Sequence, residues 1–403
     1  MSGSQTILRI AAKGDGVTQT GRHVAGAVTG DVVAESGAVT PGPHRVVPPC
    51  PHFAVGSQKG CGGCQLQHAD EETLRTFVTE RVTNAAAAQD IAVGELLPTH
   101  LSPPNTRRRA TLHAQKIGKR AVIGFREARG HRIVDMRECH ILRPELLALV
   151  PALRRLVSAH GGKAPIDIAL TLADQGVDCA ISGLELEGLD ATQAVLDFAR
   201  DHGLARLALD QGYGAESVWE PQPVTITLDG IAVGLPPSAF LQATKDGEDC
   251  LVGDARAFLN GAASVADLFA GLGTFSFALA NPTRVLAVEA GRDAHLACKI
   301  AANAHAVPVE AMHRDLFRNP LQSDELGKFA GLLLDPPRAG AREQVAQIAA
   351  SRAERVAYVS CNPASWAKDA KVLCDAGFRL ETLRAVGQFR WSTHVELTSY
   401  FTR

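Results

Sequence analysis

The chain has no apolar run of the roughly 18 residues that a bilayer span needs. The stretch Met1 to Gly16 carries no apolar signal core either, so no membrane partner is expected and the cytoplasm is the expected location. Net charge is also missing: 41 Lys and Arg against 43 Asp and Glu leave a formal charge of -2, which as a total is the wrong sign for a nucleic-acid binder. Internal repeats and low-complexity tracts are absent, so nothing points away from ordinary folded domains. What is left is a 403-residue chain, 46% apolar, long enough for two or three domains with cores of their own.

The balanced total hides a local excess. Between Leu101 and Arg143 stand eleven basic residues (Arg107, Arg108, Arg109, Lys116, Lys119, Arg120, Arg126, Arg129, Arg132, Arg137, Arg143) against Glu127, Asp135 and Glu138, a segment charge of 11 − 3 = +8. A solvated surface explains such a run as well as a phosphate backbone does; the latter rewards clustered Arg and Lys through counterion release.

Nine cysteines in a cytosolic chain read as thiols or metal ligands rather than disulfides. Cys50, Cys61, Cys64 and the distant Cys139 supply four thiols, a set that can hold zinc or an iron-sulfur cluster. His52 and His68 are the nearby candidates for substitution among these ligands. Cys179, Cys250, Cys298 and Cys374 read as small buried hydrophobes. Cys361 differs, because it ends an apolar run just before Asn362-Pro363, where a side chain can face a cleft.

Along the chain, Ile7 to Val33 is a Gly-punctuated series of short β-like runs with Gly14-Asp15-Gly16 as a turn, which suggests a very small β-barrel. Pro41 to Pro49 reads as a linker. From Cys50 to Gly234 strands and helices mix: Leu74, Phe77, Val78 and Val82 share a helical face, and Ile166, Ile168, Leu170 and Leu172 alternate as a strand that can pair with Val177 to Ile181. Beyond Ser238 short apolar strands (265–269, 285–288, 332–334, 356–359) alternate with helical segments (294–305, 342–350). This alternation predicts an open, mostly parallel, Rossmann-like α/β sheet with ligands at the C-terminal strand ends.

The turn Asp267-Leu268-Phe269-Ala270-Gly271-Leu272-Gly273-Thr274 follows the first of those strands directly. Gly271 and Gly273 allow close backbone approach to a ligand, and Glu289 at the next strand end can accept from ribose hydroxyls. Ser276 stands where a dinucleotide fold wants its third glycine, which favours S-adenosylmethionine over NAD.

Five pieces, Pro237-Ser238-Ala239-Phe240-Leu241-Gln242, Asp267 to Thr274, Asp335-Pro336-Pro337-Arg338, Ser360-Cys361-Asn362-Pro363 and His394-Val395-Glu396, occur in one order. In these the chain resembles the RNA uracil-C5 methyltransferase family. The resemblance implies domains at 1–48 (a shortened TRAM-like β-barrel), 49–234 (an α+β RNA-binding domain) and 235–403 (the methyltransferase). It implies Cys361 as nucleophile and Glu396 as proton acceptor. Contacts to the methyl donor would come from Gln242, Phe269, Thr274, Glu289 and Asp315, with Asp335 where cofactor and base meet. Arg338 fits the carbon methyltransferase pattern, whereas amino-group methylases usually carry Tyr there. The Asp-x-Phe-Pro segment usual before His394 is replaced by Gln388-Phe389-Arg390-Trp391-Ser392-Thr393.

Members acting on ribosomal RNA carry a four-iron cluster on Cys-Gly-Gly-Cys and flanking cysteines, so the resemblance implies a [4Fe-4S] cluster on Cys50, Cys61, Cys64 and Cys139. The implied activity is methyl transfer to a uridine of 23S ribosomal RNA by a monomer. A tRNA uridine methyltransferase is the alternative enzyme, and a non-catalytic RNA-binding assembly factor is the alternative outside catalysis.

Overall fold

A computed structural model describes residues 4–56, 59–128, 130–162 and 164–403. Arg129, counted above among the basic residues, lies outside them. The chain divides into two compact units: 1–77, 102–223 and 389–393 in the first, and 78–101, 224–388 and 394–403 in the second.

The first unit begins with a five-stranded antiparallel sheet ordered His23–Val24, Gly16–Thr18, Gln5–Ile10, Val32–Val33, Val39–Thr40. Its small core is Ile7, Val24, Ala27 and Val33. This antiparallel sheet occupies the place of the expected small β-barrel, and no pairing among the described residues joins its two edge strands. The expected strand from Val24 to Val28 stops at Val24, because Gly26 turns with φ 69° and the Val28 amide donates to the Asp31 carboxylate at 2.8 Å. The expected linker is also pinned, as Arg45 pairs with buried Asp31 and donates to the Gly26 carbonyl at 2.7 Å.

The rest of this unit is a six-stranded sheet, ordered Ala215–Trp219, Arg206–Asp210, Gly176–Ser182, Ile166–Ala173, Arg109–Ile117, Arg120–Gly124. The alternation of Ile166, Ile168 and Leu170 forms the expected hairpin, with Leu170 opposite Cys179. These side chains pack with Leu146, Leu153 and Val157 of the helices Pro144–Ala148 and Val150–His160 into one core.

The second unit holds a nine-stranded sheet. Its path is Val309–His313, Arg284–Glu289, Ser264–Leu268, Gly331–Leu334, Arg355–Ser360, Glu396–Thr402, Arg379–Gly387, Val93–Leu96, with His100–Leu101 also on Arg379–Gly387. The first five strands are parallel, and Ser264–Leu268, Gly331–Leu334 and Arg355–Ser360 are buried over most of their length, as strands covered on both faces are. Strand order reverses between Ser264–Leu268 and Gly331–Leu334, so a crevice opens at their C-terminal ends. Residues 93–101 hydrogen-bond to Arg379–Gly387 (Leu380 opposite Val93, Val386 opposite His100), and the hairpin Thr225–Leu228 and Ile231–Gly234 also falls in this unit. No helix among the described residues is long and apolar enough to cross a membrane.

Candidate active site

The strand Ser264–Leu268 runs straight into the glycine turn. Phe269 adopts a left-handed φ of 66°, a conformation that costs a bulky residue about 1–2 kcal/mol and persists only where the surroundings fix it. Gly273 has φ 93°, and a Cβ there would sit 2.7 Å from the Phe277 ring. The turn is held from the neighbouring strand: Glu289 accepts from the Gly271 amide at 2.9 Å and from the Gly291 amide at 2.6 Å.

At the reversal point a cavity of about 450 Å³ opens, lined among others by Gln242, Phe269, Glu289, Asp335, Cys361 and Glu396. Gly271 and Thr274 also line it. Two residues expected to meet the donor stand outside that wall. Gly273 shapes the turn from behind, and the Asp315 carboxylate accepts from the amides of Phe317 at 2.9 Å and Arg318 at 3.3 Å, so Leu316 and Phe317 line the cavity in its place.

Cys361 and Asp335 sit on neighbouring loops tied by one side chain. Asn362 donates through Nδ2 to the Arg338 carbonyl at 2.8 Å, and its Oδ1 accepts from the Ala364 amide at 3.2 Å, capping the helix Pro363–Asp375. The nucleophile candidate is therefore fixed to both the helix and the Asp-Pro-Pro-Arg loop. Glu396 begins the strand Glu396–Thr402, which pairs with Arg355–Ser360, so Ser360 lies opposite Leu397 and the two candidate groups enter the cavity side by side.

The wall is rich in acids. Asp335 is raised well above the ordinary carboxyl range by burial, then by the charges of Glu396 and Asp267. Cys361 is pushed up to about 11 by burial and by Glu396 and Asp335, with Arg338 acting in the opposite direction. Each of these shifts shrinks when a cation enters the cavity, because a positive charge favours both carboxylate and thiolate. The arrangement suits a cationic ligand.

Gln388, not singled out in the sequence as a site residue, completes a relay. Gln242 donates to Asp335 Oδ2 at 3.3 Å, Gln388 donates to Gln242 Oε1 at 2.8 Å, and the Thr244 amide donates to Gln388 at 3.3 Å. Its only sequence signal is its place at the start of the segment that departs from the family pattern. His394, by contrast, is exposed.

The first unit contains a second cavity. Cys50, Cys61, Cys64 and Cys139 all line it, and all four are free thiols. Burial pushes Cys61 up to about 11 and Cys64 up to about 12, and the neighbouring thiols add to both shifts. No group of three or more His, Cys, Asp or Glu among the described residues is arranged to hold a metal ion. His52 is on the wall but its Nε2 accepts from the Arg137 amide at 3.0 Å, while His68 is buried against Phe53 and outside the wall.

A family model described as tRNA (Uracil-5-)-methyltransferase matches residues 251–403. An uncharacterized RNA methyltransferase of Zymomonas mobilis is 46% identical over 398 residues, with 98% of this chain and 99% of that one covered. A 23S rRNA (uracil(1939)-C(5))-methyltransferase of Pectobacterium atrosepticum is 30% identical over 379 residues, covering 90% of this chain and 81% of the relative. Among solved structures, the Pyrococcus abyssi tRNA (uracil-54, C5)-methyltransferase in complex with S-adenosyl-L-homocysteine shares the fold over 100% of both chains, with TM-score 0.74 and 21% identity.

Proposed function

The chain belongs to the family of S-adenosylmethionine-dependent RNA uracil-C5 methyltransferases, and from that premise we propose that it methylates a uridine of 23S ribosomal RNA through a covalent bond between Cys361 and C6 of the base. The observation that carries this reading is the meeting of Cys361, Glu396 and Asp335 on one cavity wall with Gln242, Phe269 and Glu289.

S-adenosylmethionine, when bound, supplies an electrophilic methyl group. Uracil C5 is too weak a nucleophile to take it unaided. The Cys361 thiolate adds to C6, and the electron pair of the C5–C6 bond moves toward C5 and the adjacent carbonyl; methyl transfer to C5 would leave the S–CH3 bonding pair on the donor sulfur as S-adenosylhomocysteine. Once C5 carries the methyl group, Glu396 removes the C5 proton; the electrons of that C–H bond restore C5=C6 and the S–C6 bond breaks, returning the thiolate. Asp335, bonded to Gln242, stands where donor and base would meet. A stacked uridine hides both C5 and C6, so the base must leave its stack to reach Cys361.

The ribosomal substrate is supported by the Pectobacterium relative and by the four thiols. Thiolates on one cavity are the donor set of an iron-sulfur cluster. Cys50, Cys61, Cys64 and Cys139, which line one cavity, would be the ligands of such a [4Fe-4S] group, and it would tie the basic segment before Cys139 to the loop at 50–64.

Mapping 5-methyluridine by mass spectrometry, in 23S ribosomal RNA and in tRNA from cells lacking the gene, tests this reading. Wild type restores a ribosomal site and Cys361→Ala does not, while Glu396→Gln accumulates a denaturant-resistant RNA adduct. Restoration of a tRNA site instead would assign the other substrate, and a fully active Cys361→Ala would sink the covalent mechanism.

A further inference from the structure

Several half-buried or buried arginines among the described residues have carboxylate partners. Arg206 grips Asp178 with two bonds of 2.9 and 2.7 Å, Arg384 grips Asp254 at 2.8 and 3.0 Å, and Arg45 pairs with Asp31. Such pairing is what a guanidinium withdrawn from water requires.

Arg107 has no such partner among the described residues. Its guanidinium lies over two aromatic rings, 4.8 Å from the Phe389 centroid and 5.7 Å from that of Phe125. Its one hydrogen bond among the described residues runs from Nε to the Arg109 carbonyl at 2.9 Å. No carboxylate pairs with it there. The ionisable groups that act on it are Arg109, of the same sign, and the thiols of Cys139 and Cys64. Arg107 lines the same cavity as the four cysteines. Glu138 also lines that cavity, but it is exposed and reaches toward His140 at 3.8 Å.

Neutral thiols offer a guanidinium no compensating charge. Four thiolates around a four-iron core do, because the assembly is anionic, and net charge is one of the terms that sets a cluster's reduction potential. We infer that Arg107 is the counter-ion of a cluster held by Cys50, Cys61, Cys64 and Cys139, and that its charge favours the reduced state of that cluster. The inference rests on the reading of these thiols as ligands. The two rings hold the cation against the cavity wall through its π-faces, leaving its remaining N–H groups free to face sulfur.

The test is anaerobic reconstitution of the full chain with iron and sulfide, followed by potentiometric titration read by absorbance and electron paramagnetic resonance. Arg107→Gln is expected to hold the cluster with its reduction equilibrium at least tenfold less favourable, about 59 mV more negative for one electron. Arg107→Lys keeps the charge and is expected to stay within about threefold of wild type. In metal-free protein Arg107→Gln is expected to melt no lower than wild type, since there the charge has nothing to answer it.

Wild type that takes up no iron and sulfide overturns the ligand reading itself. Wild type that loads while Arg107→Gln loads with an unchanged potential overturns the role of Arg107 alone. If the glutamine variant does not retain the cluster, retention by Arg107→Lys supports the charge argument, and equal loss from both variants overturns it in favour of packing.

Discussion

Asp267 shows how one residue can carry a measurable pH signature. It is fully buried, with Ser276 donating to Oδ2 at 2.6 Å, and burial pushes its carboxyl up to about 7. The folded state thus holds this proton more tightly than the unfolded chain does. The stability it contributes is complete below the ordinary carboxyl range and is lost as pH rises through about 7. In ligand-free protein that loss amounts to about 1.4 kcal/mol per pH unit across the window. Melting curves from pH 4 to 8 should therefore fall more steeply for wild type than for Asp267→Asn; parallel curves would show that the carboxyl stays ionised. The same scale holds bonds that the sequence does not reveal. Asp315 sits at a strand end in the right order, but nothing in its neighbours' identities reveals that Phe317 and Arg318 present their amides to it.

At the scale of elements, the Asn362 latch joins the cap of a helix to the carbonyl of a neighbouring loop. Asn362→Ala removes both bonds, at a cost of about 1–2 kcal/mol to stability. Because it also frees the loop carrying Cys361, turnover should fall roughly 10- to 100-fold while donor KM stays within about twofold. Steady-state kinetics separate the two, and a change confined to KM would refute the positioning role. Much of this level was legible beforehand. The helix Glu71–Ala87 buries Leu74, Phe77, Val78 and Val82, as the spacing implied, and the helix at 342–350 forms where the pattern places it. Those signals are local and periodic. Bonds such as Asn362 to Arg338 or Gln388 to Gln242 link residues far apart in the chain, and no local pattern encodes them.

For the molecule as a whole, the share of residues 78–101 in the second unit is hidden from the sequence for the same reason. Strand pairing between Val93–Leu96 and Arg379–Gly387 is long-range, and a four-residue strand with three exposed positions leaves a faint trace in the sequence. A fragment of residues 224–403 would leave Arg379–Gly387 with an unpaired edge, the kind of surface that recruits other chains. It should self-associate in sedimentation velocity runs, and a peptide of residues 78–101 added in trans should raise its melting temperature. A monomeric fragment indifferent to the peptide would show that the edge strands add little.

The same pairing imposes an order on biosynthesis. When the ribosome has just made Leu101, the strand that will accept it lies about 280 residues downstream, roughly 15–60 s of translation away. The segment must wait without its partner while the intervening chain is made, and the methyltransferase sheet closes only after Gly387 has been synthesised.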